Sequence, residues 1–485
     1  MNNKPPFLRA LAFSVLALPF AVHAASLQQA DEILKAKSTS SLVFKGTGNW
    51  YQFGQAPAPT LAWPKFDVSN YQADINFDKT SSRVQITRKQ TIEPGRNRPE
   101  PVEQKADQYI SDNTAWNLAT SAPANNAPAA TLQPAALEER KAEILSTPQG
   151  FVRAALANNA TSKTTKEGIE VSFTLDNKYK FKGIINDKNL VERVQTWIDN
   201  PVLGDTLYET SFSDYKDRNG VQFPTRISRK LGGHPILDIS VSDVQPNARV
   251  AIAAPAELPA AAPAINVNSS KLAEGVYYLT GGTHHSVAIE QNDHVVLVEA
   301  PQHEARSLAV IAKIKEILPN KPIKYLINTH AHFDHLGGVR TLVDAGATIV
   351  THKSNQAYYQ TIWQQPHSIN PDKLAQSKKA AKFETFSGKY SLGDAHKIEL
   401  YPLTGNSHND AFALIYLPNE KIVIEADAYT PLAQGAPAPT SVNPYSKNLY
   451  ENIQTLKLDV AQIAALHGPG VATLADLKTY IGIKS

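Results

Sequence analysis

An alanine- and proline-rich stretch at 251–264, AIAAPAELPAAAPA, separates two parts of the chain whose sequence patterns differ. Such a segment buries little apolar surface and stays extended, so it predicts a linker between domains. The chain of 485 residues is too long for one average domain, and its 42% of hydrophobic residues can form two cores. We therefore predict one domain at 25–250 and a second at 265–485.

The part before the linker is a series of short runs in which apolar and polar residues alternate, such as YQADINFD, IEVSFTL and YKFKGIIN. Short polar turns at 186–189 and 217–220 separate neighbouring runs, a pattern typical of antiparallel hairpins. A helix or helix pair is predicted near 137–157, and a second alanine- and proline-rich stretch at 118–134 predicts a long loop. This half is expected to be a mostly antiparallel β domain, with a curved sheet that holds a helix. No constellation of catalytic residues occurs in it.

In the part after the linker, apolar residues recur in a different pattern. Strand-like runs such as HVVLVEA, IKYLINT and KIVIEA alternate with helical stretches, the first of them at 303–318. Alternation of strands and helices indicates an α/β layered fold, in which helices cover the strands. The whole chain therefore combines a β-rich α+β half with an α/β half.

The first residues have the pattern of an export signal. Lys4 and Arg9 precede an apolar run of 13 residues at 10–22, and small residues surround Ala24. This pattern predicts a signal peptide at 1–24 that is cleaved after Ala24. The run is shorter than the roughly 20 residues that a membrane-spanning helix needs. We expect a periplasmic or secreted protein without a stable membrane anchor.

Charge and cysteine content exclude several kinds of partner and site. With 48 basic and 45 acidic residues the net charge is +3, which provides no basic surface for nucleic acid. The absence of cysteine excludes disulfides, thiolate metal ligands and cysteine nucleophiles. A small-molecule substrate is the expected partner, and the oligomeric state stays open.

Histidine is concentrated in the second half, since 12 of the 14 histidines lie within 284–467. His330, His332, Asp334 and His335 form a closely spaced group directly after the predicted strand IKYLINT. A turn after a strand can point the first two histidines at one metal ion, while the next two residues enter a helix and swing toward a second. Nitrogen and oxygen ligands of this kind suit zinc or a similar divalent ion.

The segment THAHFDHLGG resembles the signature of the metallo-β-lactamase-fold hydrolases, and the resemblance extends from about residue 273 to the C-terminus. It implies that 265–485 forms an αββα sandwich that binds two divalent metal ions, most often Zn²⁺. It also implies three more ligands at matching positions of this sequence. The implied set is His330, His332 and His408 for the first ion, Asp334, His335 and His467 for the second, and Asp427 as the bridge.

This ligand set implies a hydrolase. Two such cations lower the pKa of a shared water, so that a metal-bound hydroxide can attack an ester, thioester, lactone, amide or phosphodiester. The resemblance gives Asp334 a further role, in which it orients the hydroxide and passes a proton to the leaving group. His284 and His285 lie between the first two strands of the hydrolase domain and are candidates for substrate contact. Tyr429, two residues past Asp427, is a candidate hydrogen-bond donor to a substrate oxygen.

Departures from the family limit the substrate class. The absence of cysteine excludes the β-lactamases that use a cysteine ligand, and only 18 residues follow His467, too few for the helical substrate domain of glyoxalase-type thioesterases. Glu299 stands where relatives often have an aspartate that supports the site. Two alternatives stay open: a β-lactamase of the histidine-only type, and a periplasmic ligand-binding or carrier protein with a structural metal domain. Substrate selection is expected from the insertion at 353–390 or from the β domain.

Overall fold

The computed structural model describes residues 26–121, 128–433, 435, 436, 439 and 441–483. The predicted signal peptide at 1–24 lies outside these residues. The strands of the described part of the chain form three large sheets, one in the first half and two in the second. No helix in these ranges combines the length and the apolar character needed to cross a bilayer.

The first half of the described chain forms one sheet of 13 strands, in which all neighbours are antiparallel. Its first and last strands lie side by side in the middle, and hairpins extend the sheet from this pair to both edges. The strands are β1 (Ser41–Tyr51), β2 (Lys65–Asn76), β3 (Ser81–Gln90), β4 (Glu103–Ser111), β5 (Thr114–Leu118), β6 (Ala130–Leu132), β7 (Thr161–Thr165), β8 (Gly168–Leu175), β9 (Tyr179–Ile185), β10 (Val191–Asn200), β11 (Gly204–Arg218), β12 (Val221–Leu231) and β13 (His234–Pro246).

One face of this sheet is buried against helices. Along β10, buried Val194, Thr196 and Ile198 alternate with partly exposed residues, as the two-residue period of a strand requires. The apolar face packs on α1 (Leu27–Leu34), α2 (Leu137–Leu145) and α3 (Pro148–Ala157) in a common core. The prediction of a mostly antiparallel β domain is confirmed, with three helices on the sheet.

The stretch at 118–134 differs from the expected long loop. Residues 130–132 form β6, which pairs with β5 at the edge of the sheet, and a 3₁₀ turn follows at Pro134–Ala136. An edge strand forms hydrogen bonds with a neighbour on one side only, so a segment of three residues suffices for it. Residues 122–127 of this stretch lie outside the described residues.

The second half forms two mixed sheets of seven and six strands in the described part of the chain. In the seven-stranded sheet the first four strands are antiparallel and the last four run parallel, with β17 shared by both groups. Its strands are β14 (Asn268–Ala273), β15 (Val276–Thr280), β16 (Ser286–Glu290), β17 (Val295–Val298), β18 (Ile323–Ile327), β19 (Thr348–His352) and β20 (Lys382–Phe386). The six-stranded sheet holds β21 (Tyr390–Leu392), β22 (Ile398–Pro402), β23 (Ala413–Leu417), β24 (Ile422–Glu425), β25 (Gln462–Ala465) and β26 (Val471–Thr473).

The two sheets of the second half share one apolar core. Side chains from both sheets, such as Val298 and Ile424, belong to the same buried cluster. Helices cover the opposite face of the seven-stranded sheet, where Leu297 packs with Val310 and Leu342. The helices of this half are α4 (Glu304–Ile317), α5 (Phe333–Leu336), α6 (Val339–Asp344), α7 (Lys353–Ile362), α8 (Lys373–Ser377), α9 (Pro444–Thr455) and α10 (Leu474–Tyr480).

Candidate metal centre

The closely spaced histidines and aspartate lie where β18 ends. The chain leaves β18 at Ile327 in a buried turn, on which His330 and His332 lie, and then enters the short helix α5, which contains Asp334 and His335. β18 runs parallel to both of its neighbours. Loops after the carboxyl ends of parallel strands open at the same edge of a sheet, which is where ligand sites form.

A first cluster joins this turn to two loops of the other sheet. His330, His332, His408 and Asp427 each place a ligand atom within 4.8 Å of the others. His408 lies between β22 and β23, and Asp427 follows the end of β24. Asp427 Oδ2 lies 3.0 Å from His408 Nε2 and 3.4 Å from His330 Nε2. The fold therefore brings together four residues that are distant in sequence.

Among the predicted metal ligands, three buried imidazoles each keep one nitrogen without a hydrogen-bond partner. These atoms are His330 Nε2, His332 Nδ1 and His335 Nε2. A buried polar atom normally has a partner, so this pattern fits nitrogens that coordinate a metal ion. The opposite nitrogen of each ring is held by a neighbouring group: the Thr329 hydroxyl for His330 (3.0 Å), the Ala56 carbonyl for His332 (3.0 Å) and the Glu299 carboxylate for His335 (2.7 Å).

Burial keeps two of these rings neutral. It lowers the pKa of His330 to about 4, and the charge of His335 adds to this effect. It also lowers the pKa of His332 well below its ordinary value, with a further contribution from His330. A neutral imidazole has a free lone pair, which is the form that binds a metal ion.

The two aspartates of the centre are ionised. Burial alone would raise the pKa of Asp427, but the charge of His335 and the hydrogen bond with His408 Nε2 (3.0 Å) hold that pKa well below its usual range. Burial would likewise raise the pKa of Asp334, and here too His335 lowers it far below the usual value. In turn, burial would lower the pKa of His335, whereas the two carboxylates raise it well above its ordinary value. The centre thus combines two neutral imidazoles, His330 and His332, with two carboxylates and the positively charged ring of His335 between them.

A second cluster consists of His284, Asp334 and His335, whose ligand atoms also lie within 4.8 Å of one another. His284 Nε2 is 3.2 Å from Asp334 Oδ2, and His335 Nε2 is 3.7 Å from the same oxygen. His335 Nε2 also lies 3.0 Å from Asp427 Oδ2. Asp427 therefore lies next to both clusters.

His467 lies beside the second cluster. Its Nδ1 is 3.1 Å from Asp427 Oδ1, and its ring stacks on His284 with the ring centroids 4.3 Å apart. The structure thus brings all seven predicted metal ligands to one place. Its second cluster also includes His284, which the sequence analysis assigned to substrate contact. His284 and His467 are therefore both candidates for the third ligand of that cluster.

The remaining predicted site residues lie around this centre. His285 is buried, and its Nε2 is 2.7 Å from the Gly468 carbonyl oxygen. Tyr429 is also buried, and its ring packs edge-on against Tyr480. It lines a surface hollow of about 490 Å³ together with Val471. Substrate contact by either residue stays a prediction.

Glu299 supports the centre directly. It follows β17 with a φ of 66°, and its carboxylate accepts hydrogen bonds from the Thr329 backbone (2.6 Å) and the Asn328 side chain (3.2 Å). Its other oxygen holds His335 Nδ1. A carboxylate on the outer nitrogen fixes the tautomer and the direction of a ligating histidine. Glu299, which the sequence analysis singled out, therefore holds and orients His335.

Glu425 is a supporting residue that the sequence analysis missed. It ends the apolar strand β24, and its carboxylate accepts hydrogen bonds from the backbone of Ala428 (2.8 Å) and Tyr429 (3.1 Å). These bonds shape the turn that carries Asp427. Burial raises the pKa of Glu425 to about 8. An acidic residue at the end of an otherwise apolar strand is the sequence signal that could have identified it.

The β domain also reaches the centre, which the sequence analysis did not predict. The segment at 52–64, between β1 and β2, lies against the loops of the metal ligands. Gln55 Nε2 donates to Asp334 Oδ1 (2.8 Å), and the Ala56 carbonyl accepts from His332 Nε2. A glutamine amide and a backbone carbonyl have no distinctive spacing, so no pattern in the sequence marked them.

Comparison with known proteins assigns the second half to a family. The family model described as the metallo-beta-lactamase superfamily matches residues 279–459. No curated protein matches the chain. Among solved structures, a metallo-β-lactamase from Pontibacter korlensis is 18% identical, with 45% of this chain and 98% of that chain covered and a TM-score of 0.34. A metallo-β-lactamase from Hirschia baltica is 21% identical, with 45% and 97% covered and the same TM-score of 0.34. Residues 279–459, which contain the histidine and aspartate clusters, therefore match the metallo-β-lactamase superfamily.

Proposed function

We propose that this protein is an exported hydrolase that depends on two zinc ions, with the αββα arrangement of its superfamily in the second half. The observation that carries the proposal is the set of three buried imidazole nitrogens, on His330, His332 and His335, that have no hydrogen-bond partner. Two ionised aspartates lie next to them. Together these groups match the nitrogen and oxygen ligands that zinc prefers.

Each cluster would hold one ion. His330, His332 and His408 form the first set, and Asp427 would bridge to the second. The second set contains Asp334 and His335, and either His284 or His467 completes it. Divalent ions bound there supply Lewis acidity, which lowers the pKa of a water molecule and polarises the substrate oxygen.

The protein's own residues handle the substrate and the proton. The Asp334 side chain is 33% exposed, the most accessible group of its cluster, and its ionised carboxylate can accept a hydrogen bond from the attacking water, orient it and pass the released proton to the leaving group. The His467 side chain is 38% exposed. We propose a carbonyl or phosphoryl substrate: an ester, thioester, lactone, amide or phosphodiester.

Export is a separate part of the proposal. It rests on the signal-peptide pattern at 1–24, which lies outside the described residues. Expression of the full chain in a bacterial host, followed by cell fractionation and intact-mass measurement, tests it. The expected product is a periplasmic or secreted chain that begins at Ala25, and an uncleaved chain in the cytoplasm would contradict export.

A chelator-controlled hydrolysis screen tests the enzymatic function. The purified protein is assayed with lactones, thioesters, β-lactams and phosphodiesters before chelation, after removal of metal, and after addition of Zn²⁺. Metal analysis of the active preparation is expected to give two ions per chain, and turnover should follow metal content. Turnover that is unchanged by metal removal would contradict the proposal. Turnover confined to β-lactams would favour the histidine-only β-lactamase, and ligand capture without turnover would favour a carrier protein.

A further inference from the structure

A loop of the β domain covers one side of the metal-ligand loops. This covering loop consists of residues 52–64, between β1 and β2, and the Gln52 N–H closes its base on the Pro64 carbonyl (2.9 Å). Its tip forms backbone hydrogen bonds with two of the ligand-bearing loops. The Phe333 N–H donates to the Gly54 carbonyl (3.1 Å), and the Asp410 N–H donates to the Pro57 carbonyl (2.7 Å). The loop therefore joins the segments that carry His332 and His408.

The position of the covering loop depends on a close approach at Gly54. This residue has a φ of 74°, and a Cβ atom added to it would lie 2.5 Å from Phe333 Cγ. Phe53 packs edge-on against both Phe333 (5.1 Å between centroids) and Trp63 (4.6 Å). Glycine adopts this backbone conformation without strain, so the close contact and the left-handed turn both require it. A side chain at position 54 would push the loop away from the ligand loops.

The Ala56 carbonyl selects the tautomer of His332. A carbonyl oxygen only accepts hydrogen bonds, so the ring proton must be on Nε2, which lies 3.0 Å away. The lone pair is then on Nδ1, the atom that faces the first cluster without a partner. Asn409 Nδ2 donates to the same carbonyl (3.3 Å) and helps to fix its direction. The backbone of the β domain thus determines which nitrogen of His332 is available to a metal ion.

The Gln55 amide orients Asp334. Gln55 Nε2 donates to Asp334 Oδ1 at 2.8 Å, whereas His284 Nε2 lies 3.2 Å from Oδ2. One carboxylate oxygen is therefore held by the β domain. The other faces the imidazoles of the second cluster, with His335 Nε2 at 3.7 Å. A hydrogen bond to one oxygen of a ligating carboxylate sets the direction of the other.

We propose that the β domain completes the metal centre, with Gln55 and the Ala56 carbonyl as positioning groups for Asp334 and His332. This inference rests on the proposed function, because it requires that metal ions bind to these two residues. It gives the β domain a structural role at the metal centre. The family resemblance, which covers only the second half, did not imply such a role. The isolated hydrolase half would have neither group.

Metal affinity of a Gln55→Met variant tests the role of the side chain. Methionine keeps the length and bulk of glutamine but donates no hydrogen bond. Zn²⁺ binding to the full-length protein is measured by competition with a chromophoric chelator, and the Co²⁺-loaded protein is followed by its visible absorption spectrum. We expect a dissociation constant about tenfold higher for the second ion, with the first ion retained, and a changed spectrum for that site. Gln52→Met is the matched control, because the Gln52 side chain forms no hydrogen bond in the described part of the chain.

Gly54→Val tests the role of the backbone. The added side chain should displace the covering loop and release His332 Nε2, which weakens binding of the first ion as well. Near-ultraviolet circular dichroism and thermal unfolding identify a variant that fails to fold, in which case Gln55→Met decides alone.

Unchanged affinity of both sites in Gln55→Met would overturn the positioning role of Gln55. Equal losses in Gln55→Met and Gln52→Met would overturn it too, since the hydrogen bond would not be the cause. These measurements need no substrate, so a protein that binds two ions but hydrolyses nothing would contradict only the proposed function.

Discussion

The two halves of the molecule use β-strands in different ways. Strands of the first half, such as β10, alternate between buried and partly exposed residues, because one face of a single antiparallel sheet packs on helices. Strands of the second half, such as β17 and β24, are buried at every residue, because they lie between another sheet and helices. Only the second arrangement brings the ends of several strands from two sheets together. It therefore carries the ionisable side chains of the centre, while the first half contributes an amide and a carbonyl.

The largest effect on metal binding and turnover is expected for substitution of a histidine in the second half. His332→Ala removes a ligand atom of the first cluster, so we expect loss of the first ion and of detectable turnover, while the β domain keeps its cooperative unfolding. Metal analysis, the hydrolysis screen and urea unfolding check this result. His396→Ala is the matched control, because His396 pairs with Glu420 away from the ligand set. Wild-type turnover in His332→Ala would remove the basis of the site assignment.

A smaller effect is expected for the carboxylate behind His335. Glu299→Gln removes the charge that holds His335 Nδ1, so affinity for the second ion should fall about 10- to 100-fold. Chelator competition measures this change. Glu420→Gln is the matched control, because Glu420 holds His396 Nδ1 at the same distance of 2.7 Å but lies away from the metal ligands. This variant should leave metal affinity unchanged. Equal effects of the two glutamine variants would show that general destabilisation, and not support of the ligand, causes the loss.

A pH-dependent effect is expected inside the β domain. Burial and the neighbouring Glu143 raise the pKa of Glu139 to about 7, against the opposing charges of Arg140 and Arg229. The folded state therefore binds this proton more tightly than the unfolded chain, and stability falls as pH rises from about 4.5 to about 7. Glu139→Gln should be more stable than the wild type at pH 8 and should show no gain at pH 4. The expected gain is about 1 kcal/mol, a figure that already allows for solvent screening of the partly exposed Glu139 side chain.

Urea unfolding of both proteins at the two pH values measures this difference. Zn²⁺ affinity should be the same in Glu139→Gln and the wild type, because Glu139 contacts none of the metal ligands in the described part of the chain. A stability difference that does not change with pH would contradict the raised pKa.

The smallest effect is expected at the border between the halves. Arg96 of the β domain forms a two-point ion pair with Asp410, at 2.9 Å for both contacts. Because the Asp410 side chain is 48% exposed, Arg96→Ala should cost about 0.5 kcal/mol of stability and leave metal affinity within about twofold. Arg226→Ala breaks a comparable pair with Asp238 inside the β domain and serves as the control. A loss of metal as large as in Gln55→Met would mean that domain docking, and not the Gln55 hydrogen bond, maintains the centre.

The parts of the fold that were predictable are those with a local cause. Alternating residues in β10 and the apolar run of β17 follow from strand geometry, and the group from His330 to His335 follows from the spacing of ligands on a turn. The edge strand β6 was missed because its three residues are too few to establish an alternating pattern. Glu425 was missed because its partners are backbone N–H groups.

The sequence by itself determined the antiparallel character of the first half and the residues of the second half that match the metallo-β-lactamase superfamily. Those features depend on composition and on short-range spacing, which a linear pattern records. Only the tertiary structure decided that His284 joins Asp334 and His335, and that Gln55 and Ala56 reach the same centre. The physical reason is that the Gln55 and Ala56 contacts join residues up to 279 positions apart in the sequence. They use an amide and a carbonyl, which are common groups, and only folding shows which of these groups lie beside a metal ligand.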